Sequence, residues 1–278
     1  MKKLTFICLV LLPIFSCQEN TTSVVAMSYN IRYDAPNDGI NIWDNRKEGL
    51  VKILTKHNID IIGTQEGLEH QLDYIKSSLN GFKMIGVDRD NNGKGEYSSI
   101  FYNTNTLDLI SSDTFWLSPT PDIPSRGWDA ALNRICTYGL FQSKNTAKKF
   151  YVFNTHFDHM GEEARFKSAE LIHEKIKAIN SKNIPVIFMG DLNCEPKSKP
   201  IEAIKKGMLD GQLIAKKTIN DPIGTYSGFD VSAPLNRRID YIFVKDLLVN
   251  EYKHLDTKLS NGLWPSDHLP VYINVHLN

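Results

Sequence analysis

Val186-Ile187-Phe188-Met189-Gly190-Asp191-Leu192-Asn193 decides how this chain is read. Four apolar residues, the mark of a buried strand, end in Gly, an acid and an amide. Strand interiors disfavour Asp and Asn, which pack poorly and compete for backbone hydrogen bonds. At a strand's exit the same residues project from a rigid scaffold toward solvent or a bound molecule. Side chains two apart share one side of an extended segment, so Asp191 and Asn193 are expected to face the same group. A strand closing in an Asx-turn explains the stretch equally well in isolation.

Outward from this stretch the chain alternates strands with a few amphipathic helices. Glu162 to Asn180 carries Ala164, Ala169, Leu171, Ile172, Ile176 and Ile179 at helical spacing, and Arg46 to His57 and Leu68 to Leu79 read as shorter helices. Strand patterns cover Val24–Ile31, Ile59–Gly63, Phe82–Val87, Tyr97–Tyr102, Thr106–Leu117, Arg134–Phe141 and Phe150–Asn154, then Ile184–Met189, Ile239–Val244, Val249–Asp256 and Leu269–Val275. Many strands with few helices fit an α/β fold of two packed sheets flanked by helices. Asp88–Gly95 and Pro119–Trp128 read as loops within a domain, and no linker interrupts 24–278, so a single domain is expected there.

Five further strands meet polar groups at an end. Asn30 and Arg32 follow the first, Gln65 and Glu66 the second, and Asn154, His156, Asp158 and His159 close another. Asp240 opens one strand, and Asp267 and His268 precede the last. Each alone is an ordinary turn former, cap or structural histidine. Together they suggest convergence, because strand ends of a sandwich cluster at its two rims.

The ordered series Tyr29-Asn30-Ile31, Gln65-Glu66, Asn154-Thr155-His156, Gly190-Asp191-Leu192-Asn193, Ile239-Asp240-Tyr241-Ile242 and Ser266-Asp267-His268-Leu269-Pro270-Val271 resembles the endonuclease/exonuclease/phosphatase superfamily. The resemblance runs from Asn30 to Val271 and implies a four-layer sandwich, two packed mixed β-sheets flanked by helices. It also implies hydrolysis of a phosphoester, phosphodiester or phosphomonoester, with Mg²⁺ or Mn²⁺. Such chemistry needs charge neutralised on phosphoryl oxygens, an activated water and a stabilised leaving oxygen. Glu66 is the expected metal ligand, with an amide oxygen of Asn30 nearby and Asp267 on the other side. Asp191 is expected to position or deprotonate the water, and Asn193 and His156 to donate to the phosphate. Asp240 would fix the tautomer of His268, whose other nitrogen acts on water or phosphate. Arg134 is expected at the phosphate or in a surface salt bridge.

The first residues read as an address. Lys2 and Lys3 precede the apolar run Leu4 to Phe15, too short to span a bilayer comfortably, and Ile14-Phe15-Ser16-Cys17 resembles a bacterial lipobox. The expectation is a signal peptide over 1–16, a lipidated Cys17 with a polar tether over 17–23, and an exported protein anchored to a bacterial membrane; a secreted product is the alternative. Removing Met1–Ser16 takes two lysines from 32 basic residues that face 32 acidic ones, so the mature chain is about neutral. Dedicated nucleic-acid binders carry a basic excess, which argues against a nuclease without excluding one.

Cys194-Glu195-Pro196 after the central motif and Arg238-Ile239-Asp240 depart from an inositol-phosphatase pattern. Asn261-Gly262-Leu263-Trp264-Pro265 is the nearest candidate for an apolar hairpin that enters lipid, and Arg126-Gly127-Trp128-Asp129 reads as a pocket wall. His156-Phe157-Asp158-His159 also resembles a zinc-hydrolase motif, but Asn154 occupies its first ligand position. The substrate is therefore expected among phosphorylated small molecules, lipids and nucleic acids, processed by a monomer. A non-catalytic binding lipoprotein on the same scaffold would lack catalytic groups, and none of the expected set is missing.

Overall fold

The structure, a computed structural model, describes residues 22–219 and 222–277. The expected signal peptide over 1–16 and the expected lipid site Cys17 lie outside the described residues. One sheet contains β1 (Thr22–Asn30), β2 (Ile61–Gln65), β3 (Phe82–Ile85), β4 (Ile100–Asn103), β10 (Lys217–Ile219), β12 (Leu248–His254) and β13 (Val271–Leu277). The other contains β5 (Leu107–Trp116), β6 (Ile135–Ser143), β7 (Lys149–His156), β8 (Val186–Asp191), β9 (Leu209–Asp210) and β11 (Asp240–Lys245). Their orders are β10-β12-β13-β1-β2-β4-β3 and β5-β6-β7-β8-β11-β9. The expected four-layer sandwich of two mixed sheets is what forms.

Two parallel pairs explain where the long helices lie. Parallel neighbours need a crossover connection. α1 (Trp43–Lys56) carries the chain from β1 to β2, and α3 (Glu162–Ile179) carries it from β7 to β8. α2 (Glu69–Ser78) follows β2, and α4 (Lys199–Lys205) and α5 (Gly211–Ile214) follow β8. α4, α5, β9 and β10 have no counterpart in the periodicity reading, being too short to show a full period.

Three apolar layers result. Val24 and Ala26 of β1 meet Val152, Ile187, Met189, Ile242 and Ile273 between the sheets. Met27, Tyr29 and Ile31 face the other way, onto Leu50, Ile53 and Leu72 of α1 and α2. Phe153, Phe188 and Phe243 pack outward onto Ile172 and Ile176 of α3 and Ile201 of α4. Strand side chains alternate with a period of two. Continuing the inward series Val24, Ala26 past Ser28 gives Asn30, and Ile187, Met189 gives Asp191. The same count from Val152 gives His156, and from Ile242 back along β11 gives Asp240. These four therefore end the inter-sheet layer at one rim.

Asn154 lies one step inside that rim, with Nδ2 donating to the carbonyls of Thr64 and Ser99 (2.9 Å each) and Oδ1 accepting from Gln65 (2.6 Å). It stitches the two sheets together and faces no cation site. Trp264 is 3 % exposed, covered by Lys258 at 4.6 Å, so the stretch expected to enter lipid keeps its aromatic ring buried. Cys136 and Cys194 are both free and buried. Asp129 accepts from the amides of Glu163 and Ala164 at the start of α3, and Trp128 does not line the site pocket described below.

Candidate active site

Gly190 sets the geometry at the rim. A Cβ there would sit 2.0 Å from the carbonyl oxygen of Thr155 on β7. Only glycine lets β8 run this close, with His156 and Asp191 in register as neighbours. Beyond Asp191 the strand turns: Asp191 Oδ1 accepts the amide of Asn193 at 2.9 Å, and Asn193 has φ +48°. The Asx-turn and the convergent site are thus the same structure. Oδ1 makes the turn, while Oδ2 faces the pocket. Asn193 reaches the pocket through this turn and not by strand alternation; its Nδ2 lies 3.1 Å from His156 Nε2 and donates to the Phe157 carbonyl at 3.1 Å.

Glu66 depends on a similar device. Strand alternation would send it away from the inter-sheet layer, but its φ of +65° re-aims the carboxylate. Arg32 also has φ +56°. Non-glycine residues in this region carry backbone strain that surrounding contacts must offset. Here Glu66 Oε1 accepts from Asn30 Nδ2 (2.9 Å) and Oε2 from the Tyr33 amide (3.2 Å). Asn30 Nδ2 also donates to Asp191 Oδ2 (3.0 Å), while its Oδ1 accepts from the Arg32 amide (3.0 Å). The Asn30 amide therefore joins the two acids as a donor.

His268 Nδ1 donates to Asp240 Oδ2 at 2.9 Å, and its Nε2 lies 3.6 Å from Asp191 Oδ2. Thr225 Oγ1 donates to the same Asp240 oxygen at 2.6 Å. Burial opposes a charged imidazole, yet Asp240 and Asp191 outweigh it and hold His268 well above its ordinary pKa. Asp191 is pushed up to about 7 by burial and by Asp240, which is its directly paired neighbour across β8 and β11. His156 is driven well below its ordinary value by burial and then by Arg134, so it is neutral.

A pocket of about 720 Å³ opens above these groups, lined also by Asp267, Tyr226 and the guanidinium groups of Arg32, Arg89, Arg134 and Arg237. Ligand atoms of Glu66, Asp191 and His268 lie within 4.8 Å of one another, and with the imidazole charged it is the two carboxylates that could take a cation. Asp267 lines the pocket outside that cluster. Arg134 is buried, not at the surface: Nε bonds Asp158 at 3.3 Å and Nη2 donates to His159 Nδ1 at 3.0 Å. Asp158 also takes the amides of Leu132, Met160 and Gly161, and against the effect of burial the backbone bonds of Gly161 and Met160, with Arg134, lower its pKa. A second hollow of about 650 Å³, over Phe115, Trp116 and Tyr138, contains no imidazole.

Arg89 and Glu96 belong to this pocket and escape the sequence reading. They pair at 2.8 Å across the neck of the loop Asp88–Gly95. The available signal was two opposite charges bracketing a Gly-rich turn. Burial and the nearby Glu66 charge raise Glu96 to about 7, against the pull of Arg89 and Arg134.

The comparisons agree with this architecture. Residues 27–268 match the Endonuclease/Exonuclease/phosphatase family, and the chain belongs to that family, whose members hydrolyse phosphoesters. A family protein from Bacteroides thetaiotaomicron superimposes with a TM-score of 0.88, at 38 % identity over 93 % of this chain and 99 % of that one. A mannosyl-6-phosphatase from the same organism superimposes with a TM-score of 0.87, at 38 % identity over 91 % of this chain and 99 % of that one. Uncharacterized protein L388 of Acanthamoeba polyphaga mimivirus is 32 % identical over 163 residues, 56 % of this chain. The chain spans 60 % and 49 % of the lengths of the curated relatives it matches.

Proposed function

We propose that this protein is a divalent-metal-dependent phosphomonoesterase acting on a small phosphorylated molecule outside the cytoplasm. The observation that carries the reading is the meeting of Glu66, Asp191 and the His268–Asp240 pair at the floor of a half-enclosed pocket. The likeness to a mannosyl-6-phosphatase over nearly the whole of both chains favours a monoester, and a sugar phosphate in particular. Near-neutral charge argues against nucleic acid.

Carboxylate oxygens suit a hard cation, and Mg²⁺ needs only one or two of them, so Glu66 would hold Mg²⁺ or Mn²⁺. When bound, the ion supplies neutralisation of charge on the phosphoryl oxygens. Asp191, with a pKa near neutrality, takes the proton of the attacking water. His268, kept charged by Asp240, donates from Nε2 to the phosphoryl group as its charge develops. Asn193 and neutral His156 add hydrogen bonds, and Asp267 supports the charge balance on the far side of Glu66. A signal over 1–16 and a lipid on Cys17 would hold the enzyme, as a monomer, where extracellular phosphate esters are met.

The test is phosphate release from hexose phosphates, p-nitrophenyl phosphate, a bis-ester and plasmid DNA, with Mg²⁺ or Mn²⁺ and with chelator. Metal-dependent release from the monoesters is expected. Cleavage of DNA alone, or no release from any substrate, would overturn the proposal.

A further inference from the structure

The pocket has a second wall, and its chemistry bears on what is attached to the phosphate. Arg89 Nη1 and Glu96 Oε2 lie 2.8 Å apart, with side chains 14 % and 16 % exposed, both lining the cavity that holds Asp191 and His268. No hydrogen bond joins either to Asp191, Asn193 or His268, so they are separate from the groups placed at the phosphoryl centre.

This wall is built, not merely present. The Asp88 carboxylate accepts four backbone amides, from Asp90 (3.0 Å), Asn92 (3.3 Å) and Gly95 (3.2 Å) on Oδ1 and from Gly93 (2.9 Å) on Oδ2. The Arg89 amide donates to the Glu96 carbonyl at 3.0 Å, and the Arg89 carbonyl accepts from Trp116 Nε1 at 2.7 Å. The Tyr97 amide donates to the Gly67 carbonyl at 2.9 Å, which ties the wall to the segment holding Glu66. Pre-organised polar groups lose little freedom when they bind.

Charge decides what they suit. Arg89 is paired with Glu96, and Arg134 beside them is paired with Asp158. With Glu96 ionised, the wall therefore offers donors and acceptors without net charge. A second phosphate would have to face the Glu96 carboxylate. A nucleobase would need a free aromatic face, yet Tyr33 lies under the Arg32 guanidinium at 4.5 Å, and Tyr226 is set against His268 at 5.0 Å and Arg237 at 5.1 Å. A hydroxyl both donates and accepts, and a carboxylate beside a guanidinium satisfies both roles.

We propose that Arg89 and Glu96, with Arg134 behind them, read the hydroxyl groups of the departing alcohol, so that the substrate is a phosphomonoester of a polyol such as a sugar. The inference rests on the phosphomonoesterase reading and specifies its leaving group.

The test crosses enzyme variants with substrate variants. Wild type, Glu96→Gln and Arg89→Lys are assayed on mannose 6-phosphate, glucose 6-phosphate, their deoxy analogues and p-nitrophenyl phosphate. A site built around a hydroxyl discriminates strongly against analogues that lack it. Each variant is expected to lose about tenfold more kcat/KM on a hexose phosphate than on p-nitrophenyl phosphate, mainly through KM. A deoxy position that costs wild type about tenfold should cost Glu96→Gln little, because the partner is already gone. Arg89→Lys keeps the charge and loses the fork, so it decides the matter if Glu96→Gln does not fold. Equal losses on all substrates, additive losses with the deoxy analogues, or no loss would overturn this inference while leaving the phosphomonoesterase reading intact. Failure of wild type on every monoester would overturn the parent reading, and this one with it.

Discussion

Asp191, His156 and Asp240 stand at the ends of strands whose alternate residues build the core between the sheets, whereas Arg89 and Glu96 hang from a loop organised by one carboxylate. The first group is 0 to 7 % exposed and inherits its orientation from strand alternation and from packing on every side. The second has half-buried side chains and its own small scaffold. The difference teaches where each property can change. Groups that end core strands cannot move without disturbing both sheets, which suits a fixed reaction. A loop held by Asp88 can be re-written without disturbing the core, which suits the choice of leaving group.

The comparison breaks first at the floor. Asp191→Asn or His268→Ala should lower kcat about 10³- to 10⁴-fold, with the circular dichroism spectrum retained; turnover within tenfold of wild type in both would remove these residues from the reaction. Asp240→Asn should lower kcat about 10²- to 10³-fold, since His268 loses the charge that holds its proton. Steady-state rates on a single monoester check this against His268→Ala.

Stability should follow the same division. Arg46 is buried beneath the floor and donates to the carbonyls of Ile31, Arg32, Tyr33, Asn41 and Pro265. Arg46→Met removes a donor from each of these carbonyls, of which Arg32's alone keeps the Gln71 side-chain amide at 3.0 Å, and should cost about 3 kcal/mol in urea unfolding. His254 gives a smaller, pH-dependent effect. Burial holds it at about 4, below its ordinary 6.5, despite the opposing bond to the Pro222 carbonyl. Between these values the unfolded chain binds a proton that the folded chain does not. Its stability contribution is therefore complete above pH 6.5 and is lost as pH falls toward 4, by about 2 kcal/mol at pH 5. His254→Leu should flatten that part of the pH–stability curve.

The smallest effect is expected at the wall. Asp88→Ala should raise KM for a hexose phosphate about tenfold with a lesser change in kcat, because the loop stays attached but loses its shape. Faster hydrogen exchange of the Asp90, Asn92, Gly93 and Gly95 amides would locate the cause in the loop. A large fall in kcat would instead tie the wall to the floor and erase the distinction between them.

Much of the floor was legible because its signals are local. An apolar run predicts a strand, and alternation carries Asn30 and Asp191 to the rim of the inter-sheet layer. Asn193, Glu66 and Asn30 mark the limit: the αL turns that aim the first two, and the amide face shown by the third, depend on neighbours far along the chain. Arg134 could be placed near the site by its motif, yet its pairing with Asp158 and His159 needed β6 and β7 side by side.

By itself the sequence determined the two-sheet sandwich, the strand that ends in Asp191, and the set of acids, amides and imidazoles that close the strands. Periodicity and chain order suffice for that, since each strand carries its own record of which side faces the core. Tertiary structure alone decided that Gly190 brings His156 beside Asp191, that burial and the facing Asp240 of the adjacent strand raise the pKa of Asp191, and that Arg89 and Glu96 pair across the neck of a loop. Those facts are distances and charges between residues remote in the chain, and no local pattern encodes them.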